Sequence, residues 1–227
     1  MCNDKRMPGI MPKCEPALNK GIFISVEGGD GSGKSTQLAN IKDYLEVRGV
    51  DALFIREPGG TSIGEKIRDI LLDPANAEMC AMTEAMLYAA SRAQIVSEVI
   101  KPALSEGKVV VCDRFVDSSI AYQAYGRKMG DAIWDINKYA VDGFMPDYTF
   151  FLDINPHIAS SRIDSRGEGK DRMELQEDSF RMRVYNGYLA LMDDEANRDR
   201  IIRIDACKDI ESVKSEIIEK LDVILAR

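Results

Sequence analysis

The sequence predicts an α/β domain built on a five-stranded parallel sheet with helices on both faces. Three observations predict it. A Gly-rich run, Gly28 to Ser35, sits between a short apolar run and a stretch of helical spacing. Four further apolar runs recur along the chain without clean in–out alternation, as expected for strands buried on both faces. Segments with apolar residues three and four apart separate them, and strands alternating with helices give a parallel sheet with right-handed crossovers.

The first element carries the most information. Gly28, Gly33, Lys34 and Ser35 fit the pattern G-x-x-x-x-G-K-[ST]. Glycines let successive backbone N–H groups turn inward and cradle phosphate oxygens, and the following helix points its positive end at the same anion. In that pattern the lysine reaches the β- and γ-phosphates and the serine hydroxyl ligates Mg²⁺. Ile22 to Val26 supplies the preceding strand, and Leu38, Ile41 and Leu45 mark the following helix. The fold class is therefore a P-loop NTPase three-layer sandwich, with a short lid.

The remaining strands are expected at Ala52–Arg56, Val109–Asp113, Tyr148–Asp153 and Arg200–Asp205, after a first strand at Gly21–Glu27. Helices are expected around Ile63 to Leu71, in one long run from Thr83 to Leu104, and over Trp134 to Val141. Others follow at Ile158 to Arg166, Met173 to Glu195, and Ile210 to Ile224. Residues 1–19 hold Pro8, Pro12 and Pro16 without periodicity and are expected to form a mobile extension; residues 20–227 form one domain.

Composition narrows the function. The 227 residues are 45% hydrophobic and 30% charged with a net charge of −8, and there is no Lys/Arg tract, which argues against binding nucleic acid. The apolar runs are too short for a membrane span. Five scattered cysteines without a C-x-x-C pair suit reduced cytoplasmic thiols. His157, the one histidine, follows Pro156 near a helix start, a surface position.

In open parallel sheets ligands bind beyond the carboxyl ends of the strands. After the second strand comes Arg56-Glu57-Pro58-Gly59-Gly60-Thr61, and then Arg68, which fits a solvated arginine as well as a phosphate ligand. On the long helix Tyr88 and Arg92 share a face; they suit a base that is stacked and hydrogen-bonded, and equally a tyrosine packed under an arginine stem. After the third strand, Asp113 stands where Mg²⁺ or its water shell is held beside a P-loop, or caps the strand end. Arg114 next to it can clamp a phosphate. Ser118, Ser119, Tyr122 and Gln123 follow, and the Gln amide can both donate to and accept from a base edge. No D-x-x-G follows this strand, which speaks against a GTPase switch. After the fourth strand, Arg162 to Arg172 is dense in charge and holds two glycines: a solvated loop, or a lid (about 162–174) that lays arginines across transferring phosphates.

Together these stretches resemble the thymidylate kinase family. The matching runs are Glu27 to Thr36, Arg56 to Thr61, Thr83 to Arg92, Asp113 to Gln123 and Arg166 to Glu174, in family order from about residue 20 to the end. The resemblance implies phosphoryl transfer from MgATP to dTMP, giving dTDP, by a homodimer with no membrane or nucleic-acid partner. It implies that Gly28, Gly29, Asp30, Gly31, Ser32, Gly33, Lys34, Ser35 and Thr36 bind ATP. Lys34, Asp30, Arg114, Arg166 and Arg172 would act on the reacting phosphates, the last two from the lid. Glu57, Pro58, Arg68, Tyr88, Arg92, Arg114, Ser118, Tyr122 and Gln123 would hold dTMP: Arg68 and Arg114 on its phosphate, Tyr88 stacked on thymine, Arg92 and Gln123 on the base edge, Tyr122 near the deoxyribose. Ser35, Asp113 and Glu174 would serve Mg²⁺. Family members often have Phe where this chain has Tyr88. A kinase for another acceptor, or a nucleotide-binding module without turnover, would share the same P-loop.

Overall fold

A computed structural model describes residues 21–164 and 171–226. Five strands form one all-parallel sheet: β1 (Ile22–Glu27), β2 (Ala52–Arg56), β3 (Val109–Asp113), β4 (Tyr148–Asp153) and β5 (Ile201–Asp205). Their order is β2-β3-β1-β4-β5, which puts β1 at the centre, with Ile24 opposite Val111 on one side and Val26 opposite Phe150 on the other. The helices are α1 (Lys34–Val47), α2 (Ser62–Leu72), α3 (Ala81–Ile95), α4 (Lys101–Ser105), α5 (Val116–Ser119), α6 (Ala132–Val141), α7 (Pro156–Asp164), α8 (Asp178–Asp193) and α9 (Ile210–Leu225).

Side chains alternate across a strand, so each central strand feeds two cores. Ile24, Val26, Val111, Phe150 and Leu152 pack under Ile41 and Leu45 of α1 and Ile217 and Leu221 of α9. Phe23, Val110 and Cys112 face the opposite way, against Ile95, Ile100, Leu104 and Phe115. Apolar residues on both strand faces are what the continuous runs in the sequence encode. Polar groups that share the second face are paired: the hydroxyls of Ser25 and Thr149 lie 2.7 Å apart, and Arg200 ties Thr149 to Asp117.

The expected strands and the structure agree to within one residue, and three helical stretches differ. The run from Thr83 to Leu104 is interrupted by a wide π-type turn at Val96–Ile100. Pro102 explains it: proline has no N–H to give the preceding turn and crowds the carbonyl four residues back. The helix expected from Met173 begins only at Asp178, because Asp171 Oδ1 accepts the N–H groups of Met173 and Glu174 (2.8 Å each) and holds a separate turn. A helical stretch over Val116–Ser119, continued by a wider turn through Gly126, was not expected. Its first N–H, on Phe115, is capped at 2.6 Å by Glu27 from β1, a partner 88 residues away. Residues 1–19 and Arg166 lie outside the described residues.

Candidate active site

Residues at or just beyond the carboxyl ends of β1, β2 and β3, among them Asp30, Glu57 and Arg114, line one crevice. Gly28, Gly31 and Gly33 have φ of +148°, +79° and +92°, where a side chain would be strained. Gly31 also passes so close to α7 that a Cβ would meet the Ala159 carbonyl at 2.3 Å. Gly33 precedes α1 without a side-chain cap, whereas Thr61 caps α2 by accepting from Gly64 N, and Asp209 caps α9 by accepting from Ser212 N. The first N–H groups of α1 are therefore left for an anion.

Lys34 is folded back over this loop. Its Nζ donates to the carbonyls of Gly28 (3.1 Å) and Gly29 (3.2 Å). Burial, reinforced by Arg114, lowers its pKa to about 8, against the pull of Asp113, Asp30 and Glu27. The hydroxyl of Ser32 is buried with no partner among the described residues. Ser35 and Thr36 are exposed at the helix start.

Arg114 stands at the junction between this loop and a second cavity. It has φ +67°, a left-handed conformation rare outside glycine, which carries its side chain across β1. The guanidinium bonds Asp30 Oδ1 at 2.6 Å, Ser118 Oγ at 3.1 Å and Tyr122 OH at 3.2 Å, and lies 5.0 Å from the Tyr122 ring centroid. Burial alone would raise the Asp30 carboxyl; Arg114 and Lys34 more than offset it and hold Asp30 below the ordinary aspartate value. Behind Arg114, Glu27 accepts from Phe115 N and Ser118 Oγ (2.6 Å each) and from Tyr188 OH (3.0 Å). Burial, and then repulsion from Asp117, pushes Glu27 up to about 7.

The second cavity is lined by Glu57, Pro58, Arg68, Tyr88, Arg92, Arg114, Ser118, Tyr122 and Gln123, all nine residues expected to hold the acceptor. Asp30 and Asp113 line it too, and so do Arg56, Leu72, Ser119, Asp171 and Met173, of which none had been singled out for a role in binding an acceptor. Arg92 is only 2% exposed and is fully engaged on one side. It pairs with Glu57 at 2.5 Å, donates to Ser119 Oγ at 2.9 Å and to Asn137 Oδ1, and packs over the Phe115 ring. Burial pushes Glu57 up to about 7 despite Arg92. Arg92 Nε and Glu57 Oε1 stay buried without a partner among the described residues, as does Asp113 Oδ1. Arg68, half-buried, donates to the Pro58 carbonyl at 2.9 Å, which turns it toward the cavity mouth. Burial also raises the Tyr88 and Tyr122 phenols, so both remain neutral donors.

Two expected residues are placed elsewhere. Arg172 is buried at the end of α2: its Nε donates to the Leu71 carbonyl (2.7 Å) and its Nη1 pairs with Glu84 (2.7 Å). Glu174 sits in the turn made by Asp171, with its carboxylate 3.4 Å from Asp171 N, and does not line the cavity. Sequence reasoning passed over Glu84 and Tyr188. An acidic residue in the first turn of a helix ordinarily faces water near the helix's positive end, so nothing local to Glu84 signals its burial, which comes from the distant Arg127 and Arg172.

Comparison with known proteins places the chain in a family. The profile of the thymidylate kinase family matches residues 26–217. A protein named thymidylate kinase from Lactobacillus helveticus is 50% identical over 206 residues, covering 89% of this chain and 96% of its own length. Those of Exiguobacterium sp. and Clostridium novyi are 48% and 45% identical, each over 88% of this chain and over 93% and 98% of their own length. The chain belongs to the thymidylate kinase family.

Proposed function

We propose that this protein transfers the γ-phosphoryl group of ATP to dTMP, giving dTDP and ADP. The observation that carries the reading is the junction at Arg114: one guanidinium bonded to Asp30 of the phosphate loop also lines the cavity that Arg68, Tyr88, Arg92 and Gln123 share. A donor phosphate on the loop and an acceptor phosphate in the cavity mouth would thus meet at Arg114. The family resemblance supplies the acceptor's identity. The cavity supplies matching chemistry: an aromatic ring, a buried arginine with an open Nε donor, and an amide for a base edge.

The acceptor oxygen belongs to a phosphate already ionised at neutral pH, so the reaction needs positioning and charge neutralisation rather than a strong base. Lys34 and the α1 amides would hold the donor phosphates, Arg68 and Arg114 the acceptor phosphate, and Asp30 would keep Arg114 aimed. His157, exposed on α7, takes no part. Asp113 and the Ser35 hydroxyl fit a magnesium site: Asp113 Oδ1 is buried and unpartnered, and Mg²⁺ takes few protein oxygens when phosphates and water complete its shell. Bound there, the ion would offset the charge of the phosphates.

We also infer a homodimer. Helices α2, α3 and α6 pack side by side and leave Ile63, Ile70, Met86, Trp134 and Tyr139 exposed, an apolar face suited to a second copy. No helix among the described residues is long and apolar enough to cross a membrane. Incubating the protein with MgATP and dTMP, with and without EDTA, tests the reading: dTDP should form only when magnesium is present. No dTDP under any condition would overturn it. Light scattering at micromolar protein tests the dimer.

A further inference from the structure

Beneath the base-reading end of the cavity lies a carboxylate that does not line it. Glu84, on the first turn of α3, is 1% exposed. Its Oε1 accepts from Gln123 Nε2 at 2.9 Å and from Arg127 Nε at 3.1 Å. Its Oε2 accepts from Arg127 Nη2 at 2.9 Å and pairs with Arg172 Nη1 at 2.7 Å. Two guanidiniums keep it ionised and leave it no freedom to turn.

An ionised carboxylate only accepts hydrogen bonds. A glutamine amide has a donor end and an acceptor end, and its neighbours decide which way it lies. Here Glu84 decides: only the NH₂ end of Gln123 can face it. Gln123 is 2% exposed and lines the cavity, so its Oε1 acceptor is the end left for a ligand. We infer that Glu84 is a positioning residue for base selection, locking the Gln123 amide so that its oxygen meets the N3–H of thymine or uracil and opposes the N3 acceptor of cytosine. An unlocked amide would flip and serve either base. Discrimination would then come from the carboxylate behind the amide, which turns the wrong base into two facing acceptors. The inference rests on the reading of the cavity as a thymidylate site.

The test compares kcat/KM for dTMP and dCMP in Glu84→Gln, Gln123→Ala and the double variant. Glu84→Gln keeps the shape but offers both a donor and an acceptor, so the dTMP:dCMP ratio should fall roughly ten- to hundredfold. The loss should fall on the KM for dTMP rather than on kcat. In the Gln123→Ala background, Glu84→Gln should change the ratio no further. Arg127→Gln removes a partner of Glu84 but leaves its acceptor to Gln123, and should keep the wild-type ratio. An unchanged ratio in Glu84→Gln, a further fall in the double variant, or an equal fall in Arg127→Gln would overturn the inference. A ratio unaffected by Gln123→Ala would show that Gln123 does not read the base and would overturn the inference, whereas failure of the wild-type protein to use dTMP would overturn the thymidylate reading itself. Should Glu84→Gln not fold, the side-chain amide of Gln123 in the wild-type protein decides, assigned by its loss from the NMR spectrum of Gln123→Leu. A rigid, slowly exchanging NH₂ pair is expected with and without dTMP, and a freely rotating one contradicts the lock.

Discussion

The two halves of the crevice are built by different means. The loop after β1 is made of main chain: three glycines with positive φ, an uncapped helix start, and one lysine whose hydrogen bonds among the described residues go to backbone carbonyls. The acceptor cavity is made of side chains from four separate stretches, held by buried charge pairs such as Arg92–Glu57 and Glu84 with Arg127 and Arg172. The difference teaches what each half costs the fold. A backbone cradle can lose its side-chain charge without losing its shape, whereas removing one member of a buried pair strands the other.

The largest expected effect lies in the cradle. Lys34→Ala should lower kcat by about 10³-fold, the scale of losing one preorganised electrostatic contact to the reacting group. Its melting temperature should be kept or raised, since the variant no longer buries a charge whose desolvation outweighs the backbone carbonyls and the pull of Asp113, Asp30 and Glu27. Arg92→Ala should weaken use of dTMP by less than Lys34→Ala does and also destabilise the fold, by about 3 kcal/mol for breaking a buried pair. For a chain of this size that is a fall of roughly 10 °C in Tm, readable by calorimetry. If both variants moved the melting temperature alike, the contrast between the halves would fail.

Arg68→Ala sharpens the picture within the acceptor half, because Arg68 is half-buried and its hydrogen bond among the described residues goes to one carbonyl, that of Pro58. KM for dTMP should rise about 10- to 100-fold, as for a lost hydrogen bond to a charged group, with KM for ATP and the melting temperature unmoved. The smallest effect is a proton count. Lys34 has a pKa of about 8 in the free protein, and a phosphate anion beside it favours the charged form. ATP binding at pH 8 should therefore take up about half a proton, and uptake should vanish near pH 6, where Lys34 is already charged. Titration calorimetry in buffers of different ionisation enthalpy reads this directly; proton release at pH 8 would contradict it.

How much was legible in the sequence follows the same division. The strands and the phosphate loop were readable because their signals are contiguous: Val109-Val110-Val111 is a buried strand wherever it pairs, and Gly28 to Ser35 carries its geometry in its own glycines. The nine residues now lining the acceptor cavity were readable as a set only through the family resemblance, since neither Arg68 nor the Tyr88–Arg92 pair can be told from surface packing by spacing alone. What stayed hidden depends on distant partners. The helical stretch from Val116 is capped by Glu27, Arg172 turns inward to Glu84 rather than outward, and Gln123 is oriented by a residue 39 positions earlier.

In the proposed function a phosphate cradle and a thymidylate cavity meet at Arg114. The most direct measurement is ADP release from MgATP with dTMP, dUMP, dCMP, dGMP and thymidine as acceptors. dTMP is expected to lead, dCMP and dGMP to be poor, and thymidine, which has no phosphate for Arg68 and Arg114, not to be used. Equal use of dCMP and dTMP, or efficient use of thymidine, would contradict the proposed function.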